Sequence, residues 1–223
     1  MRTEERDVAV AKTATPRDTQ TGTPQGAPGA SRRPGRPRSE RAERAMIDAA
    51  LDTFAEAGVE GFRCEAVAAR AGVGKATLYR RWTGKEDLLV DALASLKSPF
   101  PEPRGESVRE DLVAMLEVMV KDAADPRYVR LFTMLRSDAT QKKYPRLMAR
   151  YMETVVEPRR EMMRSVLRRG IATGEIRAGT DVEIALLALT GTVMARDKHH
   201  ATPAGPDFAA RVVDELLLGL APR

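Results

Sequence analysis

The side chains best suited to bind another molecule lie between residues 75 and 81, which include a lysine, a threonine, a tyrosine and two arginines. Ammonium, guanidinium and hydroxyl groups donate hydrogen bonds to phosphate oxygens, and lysine and arginine also donate to the acceptor edge of guanine. Leu78 and Trp82 are spaced to share one face of a helix, which would anchor that helix to a core. The segment is therefore predicted to present a basic, polar surface to a polyanion.

The charge distribution also indicates an anionic partner. The formal net charge is +5, and residues 31–85 contain 12 basic and seven acidic side chains. The parts of the chain before and after this window each contain equal numbers of basic and acidic residues. A local basic excess is typical of nucleic-acid binding, and a solvated basic surface without a partner is the alternative.

Other classes of function lack the residues that they need. Cys64 is the only cysteine, so we expect no disulfide and no thiolate metal cluster. The chain also lacks a spacing typical of metal ligands, and we expect neither a metal ion nor a cofactor. Gly74-Lys75 resembles the end of a phosphate-binding loop, but alanines replace its first glycine and its metal-binding hydroxyl. No nucleophile is paired with an ordered base, so we expect no enzymatic activity. Neither a spanning apolar run nor a signal peptide is present, so we expect a cytoplasmic protein and no membrane contact.

Two short helices joined by a turn would position the basic segment. Apolar spacing predicts helices near 63–71 and 75–82, with Gly72 supplying the positive φ of the turn and Val73 filling the angle between the helices. This layout is typical of a helix-turn-helix, whose second helix enters the major groove of DNA.

Helical patterns continue through the remainder of the chain. Ser39 is expected to cap the first helix and Gly58 to end it, while Thr83 and Glu86 form a capping box for a helix over 84–97. The composition is rich in Ala, Leu and Met and only 4% aromatic, which favours helix over strand. The predicted fold class is all-α, with a three-helix DNA-binding domain followed by a helical C-terminal domain.

Three further signals place helix boundaries in the C-terminal half. Asp125 is expected to cap a helix, and Pro158 to interrupt a long helical segment. Thr180 and Glu183 are expected to form a second capping box.

From Gly35 to Leu96 the chain resembles the DNA-binding domain of the tetracycline-repressor (TetR) family. The segments GRPR, FAEAGVEGF, VAARAGVGKATLYRRW and GKEDLLVDAL occur in the family's order and spacing. The remaining half is similar only in its helical pattern, with RGIATGEIR before two final helices. The resemblance implies a ligand-responsive repressor that binds a near-palindromic operator in double-stranded DNA as a homodimer. A nonspecific architectural DNA-binding protein is the alternative.

The resemblance also assigns contacts with DNA by position. The family's phosphate contacts match Thr77, Tyr79 and Lys85. Its base contacts match Lys75 and Arg81. Together with an arginine of the preceding arm, the expected DNA-binding residues are Arg36, Arg63, Lys75, Ala76, Thr77, Tyr79, Arg80, Arg81 and Lys85. Arg63 is a departure, since the family usually has a capping threonine there, and a cation opposes the helix dipole at that end.

Residues 1–38 are expected to be a disordered arm, followed by the DNA-binding domain with its linking helix over 39–97 and a ligand-binding and dimerisation domain over 98–223. The arm ends in SRRPGRPRS, which resembles the minor-groove core of an AT-hook peptide. Arg36 would enter a narrow minor groove, and a solvated linker is the alternative.

The C-terminal half is expected to hold a dimer interface and an effector pocket. Two apolar stripes would pair across a two-fold axis, although both could instead pack inside one subunit; they comprise Ile184, Leu187, Met194, Phe208, Val212, Leu216 and Leu220. Methionine adapts to varied apolar ligands, and the resemblance implies a pocket for a small apolar or amphipathic molecule. Its expected lining, which could also be plain core, is Met115, Met119, Phe132, Met148, Tyr151 and Met152.

Overall fold

The computed structural model describes residues 36–199 and 205–220. Within these ranges the chain forms eleven α-helices and one π-helix, without a strand, which confirms the all-α prediction. The helices are α1 (Arg36–Gly61), α2 (Cys64–Arg70), α3 (Lys75–Tyr79), α4 (Lys85–Ser95), α5 (Val108–Ala123), α6 (Pro126–Leu135), α7 (Asp138–Lys143), α8 (Pro145–Tyr151), the π-helix (Met152–Val156), α9 (Glu157–Thr173), α10 (Val182–His199) and α11 (Phe208–Leu220).

The first helix differs from its prediction at both ends. α1 begins at Arg36, before Ser39, so the last residues of the predicted arm belong to its first turn. Gly58 adopts φ 61° and ψ −173° and kinks α1 instead of ending it. The chain returns to helical geometry for one more turn, up to Gly61. Residues 1–35, which carry the rest of the predicted arm, lie outside the described ranges.

Neither predicted capping box forms, because each helix begins one residue later than the box requires. Gly84 is the N-cap of α4, and Thr83 donates both its backbone N–H and its hydroxyl to Asp87. At α10, Asp181 accepts the N–H groups of Glu183 and Ile184 at 2.9 and 3.1 Å. The threonine that precedes Asp181 donates its hydroxyl to a backbone carbonyl instead.

Two other boundary predictions are confirmed. Asp125 caps α6 and accepts the N–H groups of Arg127 and Tyr128. Pro158 follows the π-helix, where the α-helical hydrogen-bond pattern is interrupted. A proline lacks an N–H and crowds the carbonyl of the preceding turn, and a widened turn accommodates both effects.

The hydrophobic core consists of two clusters of buried side chains. The first contains the helix-turn-helix anchors and also Leu131 and Leu135 of α6 and Leu147 of α8. The second joins α5, α9, α10 and α11. The core of the DNA-binding domain therefore continues across the expected boundary at residue 97, and that boundary stays a prediction.

Three ion pairs also lie at the junction between the DNA-binding half and the C-terminal half. Arg127, Lys143 and Arg150 of the C-terminal half pair with acidic residues of α1 and α4, at 2.9, 2.6 and 2.7 Å respectively. Their partners are Asp52, Glu60 and Asp87. Each pair is partly exposed and contributes little to stability alone. None of the helices in the described ranges is long and apolar enough to cross a membrane.

Candidate nucleic-acid interface

The turn between α2 and α3 fixes the direction of the predicted recognition helix. Gly72 has φ 65°, and the N–H of Val73 donates to the carbonyl of Ala68 at 3.0 Å. Leu78 and Trp82 are buried, and the Trp82 indole N–H donates to Asp91 of α4 at 2.7 Å. These contacts hold one side of α3 and the residues after it against the core.

The other side of α3 is exposed, as the sequence predicts. Lys75, Ala76, Tyr79 and Arg80 are exposed there, and Thr77 is half-buried. The helix places hydroxyl, ammonium and guanidinium donors on the surface opposite its apolar anchors. A helix that lies in a major groove needs this division of its two sides.

Two of the predicted DNA-binding side chains are already bound to carboxylates of the same chain. The Tyr79 hydroxyl donates to Glu65 of α2 at 3.1 Å, and this hydrogen bond raises the pKa of Tyr79. Arg81 points towards α1, where it pairs with Glu43 and donates to the Ser39 hydroxyl at 2.5 Å. Arg81 must leave this pair before it can reach a base edge.

A groove of about 580 Å³ lies beside the recognition helix. It contains both charge signs, since its lining comprises Glu60, Phe62, Arg63, Cys64, Glu65, Tyr79, Lys85 and Tyr144. The Lys85 ammonium lies 4.9 Å from the centroid of the Tyr144 ring. The sequence does not predict that Tyr144 contacts Lys85 or that Glu65 contacts Tyr79, because these contacts join segments that are distant along the chain.

Arg63 is the N-cap of α2 but makes no side-chain capping bond, in agreement with its departure from the family pattern. Its guanidinium instead donates to the carbonyls of Glu60 and Phe62 at 2.6 and 3.1 Å. Cys64, the next residue, is buried. Burial and then the Glu65 carboxylate raise the pKa of the Cys64 thiol, so this group behaves as a small apolar side chain.

The residues expected to line one effector pocket are divided between the two cores. Phe132 and Tyr151 are buried in the first cluster with ring centroids 5.4 Å apart, and Met148 packs against it. Met115 is buried in the second cluster, and Met119 packs against that one. Met152 begins the π-helix.

A separate cavity of about 360 Å³ lies between α1 and α6–α7 and includes none of those six residues. Phe54, Val59 and Met134 form its apolar wall, and the hydroxyls of Ser137 and Thr140 lie at its edge. Both hydroxyls donate to the carbonyl of Met134.

The two expected dimer stripes differ in exposure. On α10, Ile184, Leu187 and Met194 are 65%, 55% and 41% exposed. The α11 stripe is half-buried and packs against the second core of its own subunit; it consists of Phe208, Val212, Leu216 and Leu220. Leu218, which the sequence analysis did not include, is 73% exposed. Among the described residues of α10 and α11, the exposed large aliphatic side chains are thus Ile184, Leu187, Met194 and Leu218.

Comparisons with known proteins agree with this geometry. Residues 46–92 match the family of bacterial regulatory proteins, tetR family, and residues 102–216 match the tetracyclin repressor-like C-terminal domain. The chain belongs to the TetR family. It is therefore a helix-turn-helix transcriptional regulator, and the expectation of a regulator rather than an enzyme is confirmed by the family.

Individual TetR-family relatives are moderately similar. The HTH-type transcriptional regulator AqdR of Rhodococcus erythropolis is 29% identical over 185 residues, covering 82% of this chain and 86% of AqdR. The DNA-binding transcriptional repressor TetR of Mycobacteroides abscessus is 28% identical over 191 residues, covering 82% and 95% of the two chains. Among solved structures, the flavonoid-responsive regulator FrrA matches the fold with a TM-score of 0.64 at 20% identity, covering 82% of this chain and 99% of FrrA.

Proposed function

We propose that this chain is a ligand-responsive repressor, which binds a near-palindromic operator as a homodimer and is released by a small apolar or amphipathic molecule. The observation that carries the proposal is the two-sided α3, with Leu78 buried and Lys75, Tyr79 and Arg80 exposed. The relative from Mycobacteroides abscessus is named as a repressor, which favours this sign of regulation over activation.

The DNA contacts divide into two kinds. Lys75 and Arg81 read base edges, while Thr77, Tyr79 and Lys85 hold phosphates, and Arg80 does either. For Arg81 this requires exchange of Glu43 for DNA. Such an exchange favours DNA sequences that offer a good acceptor at that position, because a poor acceptor leaves the arginine with its internal partner.

Dimerisation uses the exposed stripe of α10. Ile184, Leu187 and Met194 lie on one side of this helix together with Gly191, where a Cβ would meet no described residue outside its own stretch of helix within 4 Å. A glycine in such a stripe lets two helices approach closely across a two-fold axis. Leu218 of α11 extends the apolar surface. Two copies then present two α3 helices to successive major grooves.

Effector binding in the C-terminal half acts on the DNA-binding half through α4, α6 and α8. These helices share the first core, and Tyr144, which directly precedes α8, lies against Lys85 at the start of α4. An effector must have a higher affinity for the conformation that does not fit DNA than for the conformation that does. This difference in affinity sets the extent of release.

The test is selection of bound DNA from a random pool by the full chain, at about 150 mM salt, where nonspecific phosphate binding is partly suppressed. We expect an enriched motif with two-fold symmetry. Lys75→Ala and Arg81→Ala should each change the preferred base at particular positions, whereas Lys85→Ala should weaken binding to all sequences. Active dimeric protein that enriches no motif would overturn the proposal and favour a nonspecific architectural protein.

Two further experiments examine the parts of the proposal separately. Leu187→Glu should convert the dimer to a monomer in sedimentation and abolish operator binding. The substitution leaves the core of its own subunit in place, because Leu187 is exposed whereas the neighbouring Leu186 is buried. Deletion of residues 1–38 tests the whole arm, including Arg36, and removes only the first three residues of α1. Unchanged operator affinity and an unchanged dependence on salt would remove the arm from the mechanism.

A further inference from the structure

Lys97 follows α4 at the opposite end of that helix from Lys85. Its ammonium donates to the Tyr128 hydroxyl at 2.7 Å and lies 4.7 and 5.0 Å from the centroids of the Tyr128 and Phe132 rings. Lys97 is partly buried, and no carboxylate in the described ranges lies within 4 Å of its ammonium. Two aromatic faces and one hydroxyl thus surround a cation that has no ion-pair partner there.

The acidic residue of this region, Asp122, is already engaged. It accepts the backbone N–H of Ser98 at 2.9 Å and pairs with Arg159 at 3.4 Å. Arg159 also donates to the Ser98 carbonyl at 2.6 Å. Because Asp122 is paired with Arg159, it offsets the positive charge of Lys97 only in part.

The electrostatics agree with the contacts. Burial lowers the pKa of Lys97 to about 8, and the positive charges of Arg159 and Arg136 act in the same direction, against Asp122. A group whose charged form is disfavoured by burial and by like charges gains most from a nearby anion. The region therefore has the potential to attract one negative charge.

The side chains packed beside Lys97 are aromatic. The rings of Tyr128 and Phe132 have centroids 4.1 Å apart, and the Tyr151 ring lies 5.4 Å from that of Phe132. Met148 packs against the same cluster, and its flexible side chain can move to admit a ligand. Planar aromatic molecules pack well against such rings.

We infer that the Lys97 region binds an aromatic carboxylic acid, with the carboxylate on the Lys97 ammonium and the Tyr128 hydroxyl and the ring among Phe132 and Tyr151. The inference rests on the proposed ligand-released repressor and adds the chemical class of its effector. A monoanion fits better than a phosphate, since one ammonium and one hydroxyl supply few donors. Because Lys97 adjoins α4, the ligand acts on the helix that begins with Lys85.

The experiment compares benzoate, 2-naphthoate and 4-phenylbutanoate with the corresponding amides, by calorimetry on the full chain. Each pair differs in charge but hardly in shape. We expect at least one acid to bind about tenfold more tightly than its amide, because a charge-assisted hydrogen bond replaces a neutral one. Lys97→Met should abolish that preference, and Lys121→Met, at an exposed position of α5, should retain it.

Any one of three results would overturn the inference. These are equal binding of acids and amides, a preference for the acid that survives in Lys97→Met, and no binding of any acid at about 10 mM. Circular dichroism of Lys97→Met verifies that the variant is folded. Operator release is measured separately, with DNA from the selection experiment. Acids that bind through Lys97 without releasing DNA would overturn the inference, because the acid would then not be the effector. Specific operator binding that no small molecule releases would contradict the proposed function alone. Release by neutral apolar compounds, with no acid bound, would contradict the inference alone.

Discussion

Tyr79 and Arg81 show that donors on the predicted DNA-binding surface are held by carboxylates of the same chain. Glu65 accepts from the Tyr79 hydroxyl, and Glu43 pairs with Arg81. The sequence analysis identified both donors, because the helix-turn-helix is a local pattern. It did not identify the acceptors, which lie 14 and 38 residues earlier in the chain. Only the packing of α1 and α2 against the recognition helix brings these groups together.

Removal of the Glu65 charge should strengthen DNA binding. Glu65→Gln leaves Tyr79 with a weaker, uncharged acceptor and takes a negative charge away from the surface that is predicted to meet phosphates. We expect a two- to fivefold rise in affinity for all sequences, roughly the size of an exposed charge interaction, and a smaller rise at high salt. Fluorescence anisotropy at two salt concentrations measures it, with Glu117→Gln, at an exposed position of α5, as the control. An affinity that stays the same or falls would show that Glu65 does not face the DNA.

Lys97 makes the stability of the fold depend on pH in an uncommon direction. Its pKa is about 8 in the folded chain, compared with 10.5 for an unperturbed lysine. Between these values the unfolded chain holds a proton that the folded chain has lost, so the contribution of Lys97 to stability rises with pH. Below about pH 8 both states are protonated, and the full cost of burying the charge remains.

Lys97→Met should therefore be more stable than the natural chain at pH 7, by about 1 to 3 kcal/mol for a shift of this size in a partly buried group. The difference should shrink as the pH rises towards 10. Urea unfolding of both proteins at several pH values measures it, and the contributions of other titrating groups cancel in the difference. A gap that is constant with pH would mean that Lys97 titrates normally.

At the scale of elements, apolar spacing predicted the long helices but not their first residues. α7 was missed, because it is six residues long and has no buried side chain, so no hydrophobic period reveals it. The two capping boxes were misplaced by one residue, since a sequence pattern does not show which polar side chain reaches the free N–H groups. Asp181 is nearer than Thr180 to the first turn of α10.

This correction gives a direct comparison of two neighbouring residues. Asp181→Ala removes the acceptor of two backbone N–H groups and should lower the free energy of unfolding by about 1 kcal/mol, as is usual for the loss of an N-cap. Thr180→Ala removes only a hydroxyl that donates to the Arg177 carbonyl, and it should cost less than half as much. Chemical denaturation of the two variants decides between them. A larger loss for Thr180→Ala would restore the capping box that the sequence suggested.

At the scale of the whole molecule, the two functional halves share structure that the sequence did not reveal. Periodicity shows which residues of a helix are buried but not which helix covers them. Leu135 of α6 and Leu147 of α8 thus complete the core of the DNA-binding half. The contact between Tyr144 and Lys85 and the three ion pairs of the junction follow from this arrangement. Packed side chains and ion pairs therefore connect the C-terminal half to Lys85, a predicted phosphate contact.

If the halves share a core, they should unfold together. Trp82 is the only tryptophan in the chain and is buried in the DNA-binding half, so its fluorescence reports on that half, whereas far-ultraviolet circular dichroism reports on all helices. The two urea transitions should coincide at a fixed protein concentration. Leu135→Ala in the first core and Leu189→Ala in the second should each lower stability by about 2 to 5 kcal/mol and shift both signals equally. Two independent domains would behave differently, since Leu189→Ala would then shift the circular dichroism transition and leave the tryptophan transition in place.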